Sequence, residues 1–226
     1  MKTIELNPAL GVRVPPRPRT DETWTFLSAT EIDALLSCDA IPERHRLVYA
    51  VAIYTGLRKG ELWGLRWSDV VLKGDRPELV VRHSYRGPTK SGRIRRVPLL
   101  AQARDALERW AKLSPGIAGA LVWPREDGGC HTESYSAEWE RWKTRAGIER
   151  RVRFHDLRHT CASHLAMGTW GQSWRLEEIR DWLGHSTVTV TERYAHLGAD
   201  SIAEKARLMD VSGKQSGKQK RTKGKR

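Results

Sequence analysis

Residues 47–62, LVYAVAIYTGLRKGEL, predict a buried helix that ends at a glycine and delivers an arginine to the protein interior. The first nine residues are almost wholly apolar, which is typical of a helix without an exposed face. This helix is expected to cover about 43–55. Gly56 ends or tightens it, and a short further helix is expected to run from Arg58 to about residue 65. An isolated charge is costly to bury, and the simplest structural interpretation is an ion pair between Arg58 and Glu61.

The sequence on either side of this stretch predicts a mainly helical chain with one small sheet. Ser28-Ala-Thr-Glu31 is a capping-box pattern that opens a helix with apolar residues on one face. Three short strands are expected at about 68–72, 78–84 and 94–99, with turn signals at Gly87-Pro88 and Ser91-Gly92. Further helices are predicted at about 101–113, 132–146, 155–167, 175–183, 187–196 and 200–209. The expected fold class is therefore α+β, mainly α-helical with a small antiparallel β-sheet.

Charge points to a polyanionic partner. The 226 residues carry a net charge of +13, for which nucleic acid is the default interpretation. Two segments concentrate cations: residues 82–96 hold six basic residues and no acids, and residues 141–158 hold seven basic residues and two acids. Residues 212–226 add seven basic residues and are expected to form a disordered tail. Residues 1–22, with four prolines, are expected to form a linker or arm.

Several classes of protein are disfavoured. No apolar run reaches the ~18 residues of a membrane span, and the first residues lack the apolar core of a signal peptide. Three cysteines argue against a disulfide-stapled secreted fold, so a soluble cytoplasmic protein is expected. Zinc is also disfavoured: there is no CxxC pair, and His155, His159, Cys161 and His164 lie on one predicted helix and cannot converge tetrahedrally.

Four segments carry residue types suited to phosphate chemistry. They are TGLRKGEL around Arg58, the basic hairpin around Lys90, HDLRHT from His155 to Thr160, and LGHS from Leu183 to Ser186 with Tyr194 after it. On a helix, His155 and Arg158 would share a face. Taken singly, each segment has an ordinary structural explanation, since a lone tyrosine or histidine is more often packed than catalytic.

Taken in order, these segments resemble the tyrosine recombinase (phage integrase) family over about residues 24–210. The matching positions are Arg58, Lys90, His155 with Arg158, His185 and Tyr194. The resemblance implies a catalytic domain over 23–211 with the DNA breaking-rejoining fold of that family. It also implies that residues 1–22 would follow a core-binding domain, which is absent from this sequence. One departure is Gly168–Trp174, which is expected to be a small insertion affecting local loop geometry.

The resemblance implies cleavage and rejoining of DNA by transesterification, through a 3′-phosphotyrosyl intermediate, without metal, ATP or another cofactor. Tyr194 would be the nucleophile and Lys90 the general acid, while Arg58 and Arg158 would bind the non-bridging phosphate oxygens. His185 and His155 would add hydrogen bonds, and His155 is the family position linked to proton transfer with the tyrosine. Glu61 is expected to orient Arg58 or the histidines.

Partners follow from the same resemblance. Double-stranded DNA is expected to contact six cations of the basic segments: Arg86, Lys90, Arg93, Arg95, Arg151 and Arg153. Tetramers on DNA, and a monomer without it, are expected. Two alternatives stay open at this point: a type IB topoisomerase-like or resolvase-like activity with the same residues, and a DNA-binding module without catalysis.

Overall fold

The structure is a computed structural model that describes residues 25–89, 92, 94–114, 119–131 and 135–198. The expected linker, the basic tail and the predicted helix over 200–209 lie outside the described residues, as do Lys90 and Arg93. The proposed domain limits therefore stay predictions. Within the described residues, the buried apolar side chains form a single core cluster that is rich in tryptophan and tyrosine.

The first helices follow the sequence pattern closely. Helix α1 spans Ala29–Ser37 and begins with the predicted capping box, in which the Glu31 amide donates to Ser28 Oγ at 3.2 Å. Helix α2 spans Glu43–Thr55 and is buried from Leu47 onward. It ends at Gly56, which adopts a left-handed φ of 62°, and helix α3 follows over Lys59–Trp63. The predicted helix–glycine–arginine arrangement is confirmed.

The sheet is antiparallel as predicted, but its strands are shorter. Strands β1 (Val70–Val71), β2 (Glu78–Val81) and β5 (Arg95–Pro98) form one sheet in the order β1-β2-β5. Strands β3 (His83–Ser84) and β4 (Gly87–Pro88) form a separate hairpin.

The single predicted strand over 78–84 is thus wrong. The chain leaves the first sheet after Val81, because the Tyr85 amide donates to the Gly60 carbonyl of α3 at 2.9 Å. Gly87-Pro88 consequently lies in a strand rather than in the predicted turn.

The remaining helices are α4 (Ala101–Leu113), α5 (Ser136–Arg145), α6 (Asp156–Met167) and α7 (Leu176–Leu183). Helix α6 is the central element: ten of its twelve residues are buried, and it packs against α2 and α7. No described helix combines the length and apolar character needed to cross a membrane.

The predicted helix over 187–196 is wrong. The chain instead forms two 3₁₀ stretches, Val188–Val190 and Glu192–Gly198, in which the Tyr194 amide donates to the Thr191 carbonyl three residues earlier. Residues 187–191 read TVTVT, and five consecutive β-branched side chains disfavour a regular α-helix. We call residues 188–198 the tyrosine segment.

Candidate active site

The carboxyl end of α7 gathers three arginines that are distant in sequence. Each donates to one of three consecutive carbonyls: Arg95 Nε to Trp182 at 3.3 Å, Arg158 Nη2 to Leu183 at 2.7 Å, and Arg58 Nη2 to Gly184 at 3.0 Å. A helix carries partial negative charge at its carboxyl end, so this location favours cations. We call Arg58, Arg95 and Arg158 the arginine cluster.

Arg58 is the most accessible member of the arginine cluster, with a side chain 32% exposed. It lies at the start of α3, where its backbone amide and its Nη1 donate to Glu61 at 2.8 and 2.9 Å. The predicted ion pair with Glu61 is therefore present, and the guanidinium also retains a face open to solvent. A ligand approaching this face meets a cation whose orientation is already fixed.

Arg158 lies deeper, at 4% exposure. Its Nη1 donates to the Gly56 carbonyl at 2.7 Å, so the guanidinium joins the end of α2 to the end of α7. Burial lowers the pKa of Arg158 to about 9, with a contribution from the charges of Arg58 and Arg95. The side chain remains cationic at neutral pH.

Glu61 balances this charge from the interior, with 3% of its surface exposed. Burial alone would raise the pKa of its carboxyl group, but hydrogen bonds and charge from Arg95, together with those of Arg58, lower that pKa to about 2. The carboxylate is consequently ionised throughout the neutral and mildly acidic range.

Two glycines permit this close packing. A Cβ on Gly56 would lie 2.5 Å from Leu183 Cδ2, and one on Gly184 would lie 2.8 Å from Arg95 Cδ. Both residues also have positive φ, 62° and 67°, which disfavours any other residue. They bring the ends of α2 and α7 to the arginine cluster.

His185 follows directly and is joined to the tyrosine segment. Its Nδ1 lies 2.9 Å from Oγ1 of Thr191, which is fully buried. Burial, with the charges of Arg158 and Arg58, lowers the pKa of His185 to about 3. The ring is therefore neutral at pH 7.

Tyr194 is buried, with 1% of its surface exposed, and its hydroxyl lies 2.6 Å from His159 Nδ1. Burial raises the pKa of Tyr194 to about 12, although the nearby cations Arg193 and Arg158 partly oppose this rise. Burial and the neighbouring His155 lower the pKa of His159 to about 4. A neutral imidazole thus lies against a protonated phenol.

His159 is not among the site residues predicted from the sequence, which favours it neither as a catalytic group nor as a zinc ligand. The signal available in the sequence was its position directly after Arg158 on α6. His155 lies one turn earlier, with its ring centroid 5.6 Å from that of His159. It is exposed at the helix start, and surrounding protein atoms, with the Arg158 charge, lower its pKa. In the described residues, no group of three or more His, Cys, Asp or Glu side chains is arranged to bind a metal ion.

The other predicted DNA contacts are distributed unevenly. Arg86 and Arg151 are exposed, and Arg153 is half-exposed and paired with Asp156 at 3.0 Å. Arg95 departs from the expectation: its side chain is only 12% exposed, and its guanidinium is occupied by Glu61 and the Trp182 carbonyl. The structure therefore puts Arg95 inside the site rather than on an exposed surface.

The segment expected to be an insertion, Gly168–Trp174, folds back onto the core. Trp170 stacks on His164 with ring centroids 5.0 Å apart, and Trp174 meets Trp182 edge to face at 5.1 Å. The segment supports α6 and α7 from outside and leaves the arginine cluster intact.

The Phage integrase family model matches residues 25–200. The tyrosine recombinase XerC of Xylella fastidiosa is 31% identical over 202 residues, which cover 86% of this chain and 63% of the relative. XerC of Xanthomonas campestris pv. campestris is 30% identical over 205 residues, covering 89% and 59%. The chain thus spans less than two thirds of the length of these relatives.

Solved structures agree on the fold. XerA recombinase superposes with a TM-score of 0.68 at 25% identity, covering 89% of this chain and 70% of XerA. XerH recombinase, bound to its difH substrate, gives a TM-score of 0.63 at 24% identity, covering 83% and 54%. The predicted fold class is confirmed. The relatives cited are recombinases by name, which does not favour the topoisomerase-like alternative.

Proposed function

Because this chain belongs to the phage integrase family of tyrosine recombinases, we propose that it carries, over residues 23–211, the catalytic domain of a site-specific DNA recombinase. Its substrate is double-stranded DNA, which it cleaves and rejoins through a 3′-phosphotyrosyl intermediate. The reaction supports integration or excision of phage or mobile-element DNA.

One observation carries this proposal: Arg58 and Arg158 converge beside His185, and Tyr194 lies against the helix that bears Arg158. Each Nη of a guanidinium has two N–H groups, so carbonyl bonds to Arg58 and Arg158 leave other donors for a ligand. Two adjacent guanidiniums match the geometry and charge of a phosphodiester.

In the proposed reaction, Arg58 and Arg158 stabilise the negative charge on the non-bridging oxygens as the phosphate becomes five-coordinate. The neutral His185 donates a further hydrogen bond. Charge stabilisation that elsewhere requires metal ions is supplied by fixed cations. Their bonds to backbone carbonyls keep them in place before DNA arrives, which limits reorganisation during the reaction.

The cleavage step forms a bond between the Tyr194 oxygen and phosphorus and breaks the bond from phosphorus to the 5′-oxygen. The phenolic proton passes to the neutral histidine pair His159 and His155, and Lys90 protonates the departing 5′-oxygen. Attack by a 5′-hydroxyl of another strand reverses these events. The phosphodiester energy is conserved in the phosphotyrosine, so no nucleotide cofactor is consumed.

The burial of Tyr194 adds a conformational requirement. A DNA phosphate cannot reach the hydroxyl of a tyrosine that is 1% exposed, so the tyrosine segment must shift before cleavage. We propose that DNA binding accompanies this shift. The irregular 3₁₀ backbone of the segment suits such a movement, because fewer regular hydrogen bonds must break.

The test is covalent capture of DNA. A pool of nicked duplexes with randomised arms is incubated with the full chain, the captured duplex is sequenced, and this selected duplex is used with all variants. Wild-type protein should give a denaturation-resistant protein–DNA band. Tyr194→Phe should give none while binding the duplex with similar affinity, because only the attacking oxygen is removed.

Tyr54→Phe, which removes a hydroxyl from another buried tyrosine, is the matched control and should still form the band. A covalent band from Tyr194→Phe would disprove the assignment of the nucleophile. A wild-type protein that binds the duplex without forming any band would instead favour the DNA-binding module without catalysis.

Two further parts of the proposal concern assembly and location. Four protomers act together on DNA, whereas the chain is a monomer without DNA; light scattering with and without the selected duplex measures both states. A protein acting on such DNA works in the prokaryotic cytoplasm or nucleoid.

A further inference from the structure

Arg95 makes more directed contacts in the site than an ordinary strand residue would. Its Nη1 and Nη2 donate to the two carboxylate oxygens of Glu61 at 2.8 and 2.7 Å, a fork-to-fork pair. Its Nε lies 3.3 Å from the Trp182 carbonyl. All three nitrogens of the guanidinium are thus engaged with the protein, which leaves it poorly suited to bind DNA directly.

Arg95 contacts both groups that hold the Arg58 guanidinium, the Glu61 carboxylate and the backbone at Gly184. Glu61 Oε1 accepts from both Arg95 Nη1 and Arg58 Nη1, so one carboxylate oxygen joins the two guanidiniums. The second support is the Gly184 carbonyl, which accepts from Arg58. Arg95 also packs against Gly184: its aliphatic chain occupies the space that a Cβ on Gly184 would need.

Through its position in the chain, Arg95 connects the sheet to the two helices. It lies at the start of β5, paired with Val81 of β2, and directly follows the basic hairpin. Strand β5 therefore ties the sheet to both α3 and α7. No other strand residue in the described part of the chain donates to Glu61.

We infer that Arg95 is a positioning residue for the proposed cleavage reaction, which holds Glu61 and the end of α7 so that Arg58 faces the scissile phosphate. This role rests on the proposed function for its catalytic consequence. Arg95 does not touch DNA; it acts through the orientation of Arg58. The fork geometry is essential, because a lysine at this position keeps the charge but cannot bond both carboxylate oxygens and Trp182 at once.

The first experiment needs no DNA. Rotation of the Arg58 guanidinium about its Cζ–Nε bond is measured by NMR in the full-length wild-type chain and in Arg95→Met and Arg95→Lys. The wild-type rotation should be slow, and both variants should accelerate it at least about fivefold, as expected when ~1 kcal/mol of hydrogen bonding is lost. An unchanged rotation rate in both variants would overturn the inference.

The second experiment measures the rate of covalent capture on the selected nicked duplex. A misplaced guanidinium costs up to ~10²-fold in rate, so Arg95→Met should slow capture about 100-fold and Arg95→Lys at least about tenfold, with little change in DNA affinity. Arg104→Met, which breaks an exposed arginine–glutamate pair on α4, is the matched control and should retain the wild-type rate. Wild-type capture by Arg95→Lys would show that only charge matters at this position, which overturns the positioning role.

A sulfur-substituted duplex distinguishes an effect of Arg95 on the general acid from an effect on Arg58. When the bridging 5′-oxygen at the scissile phosphate is replaced by sulfur, the leaving group needs no proton, so a defect in the general acid is rescued. Capture by Lys90→Ala should recover on this duplex, whereas capture by Arg95→Met should stay slow. Recovery by Arg95→Met would mean that Arg95 acts through the hairpin and not through Arg58.

The NMR and capture measurements together distinguish a failure of this inference from a failure of the proposed function. If the wild-type chain captures no DNA, the proposed function fails, and the NMR measurement still decides whether Arg95 positions Arg58. Thermal unfolding of each variant is recorded alongside. Arg95→Lys decides the outcome if Arg95→Met fails to fold, because it keeps a cation beside the buried Glu61.

Discussion

The arginine cluster and the tyrosine segment occupy adjacent parts of the molecule but are built in opposite ways. The arginine cluster is held by backbone carbonyls at the ends of two α-helices and by a buried carboxylate. The tyrosine segment is a run of 3₁₀ turns, and its tyrosine is buried with the hydroxyl in contact with His159. The groups that would bind phosphate are thus in place, while the group that would attack it is stored out of reach.

The contrast suggests that DNA binding and strand cleavage would depend on different parts of the site. A preformed cluster of cations would attract the proposed DNA substrate without a conformational change. In the proposed reaction, the buried tyrosine would not attack DNA until the tyrosine segment moves, so binding at an unsuitable site would not lead to cleavage. The arginine cluster and the tyrosine segment are therefore expected to respond differently to substitution.

The largest effect is expected where the arginine cluster depends on close packing. Gly56→Ala should destabilise the protein by roughly 2–4 kcal/mol, because the new methyl group overlaps Leu183 and the left-handed backbone disfavours alanine. Chemical denaturation measures the change. Gly74→Ala is the control, since Gly74 also has positive φ but nothing lies within 4 Å of its Cβ position. Equal effects at the two glycines would show that backbone strain alone matters.

An intermediate effect is expected in the tyrosine segment. His159→Ala leaves the buried Tyr194 hydroxyl without its 2.6 Å partner, which costs ~1–3 kcal/mol. Amide hydrogen exchange in residues 188–198 should therefore accelerate about tenfold, while exchange in α7 stays unchanged. His83→Ala, an exposed histidine on β3, should leave both regions unchanged. Equal acceleration in α7 would mean that the two regions open as one unit.

A separate effect, on the pH dependence of stability, is expected from mild acid. Burial lowers the pKa of His159 to about 4 and of His185 to about 3, whereas an unfolded histidine titrates near 6.5. The unfolded state therefore binds more protons below pH 6.5, so the free energy of unfolding should decrease from pH 7 to pH 5. The Glu61 carboxyl group has a pKa of about 2, whereas an ordinary glutamate has a pKa of 4.5. Its contribution to the free energy of unfolding is therefore lost only in stronger acid, as the pH falls from 4.5 to 2.

His159→Gln, which cannot titrate, tests the source of this acid sensitivity. Its unfolding free energy should depend less on pH between 7 and 5 than that of the wild-type protein, as measured by urea denaturation at each pH. A wild-type stability that is flat over this range would show that these rings protonate freely in the folded state.

The sequence predicted the elements whose causes are local. The apolar run before Gly56, the capping box at Ser28 and the ion pair between Arg58 and Glu61 all depend on neighbouring residues. The shape of the tyrosine segment was mispredicted although its signal, TVTVT, is also local: alternating Thr and Val disfavour a helix even where the wider pattern suggests one.

The roles of Arg95 and His159 could not be predicted in this way. Arg95 meets Glu61 across 34 residues, and His159 meets Tyr194 across 35. Both contacts exist only because helix ends and a strand end meet in the folded protein. From sequence, a basic residue beside a hairpin is indistinguishable from a DNA contact, and burial is what separates the two.

The end of α7 has a consequence for how such chains can vary. Its acceptors are main-chain oxygens of residues 182–184, so replacing the Trp182 or Leu183 side chain does not delete them, whereas Gly184 has no room for a Cβ beside Arg95. What the site requires is the location of the helix terminus, since a displacement by one residue, ~1.5 Å, would misalign three guanidiniums together. The loop before the helix, Gly168–Trp174, can therefore lengthen or shorten as long as Trp174 still docks against Trp182. Insertions in that loop should be tolerated where a single inserted residue after Leu183 is not.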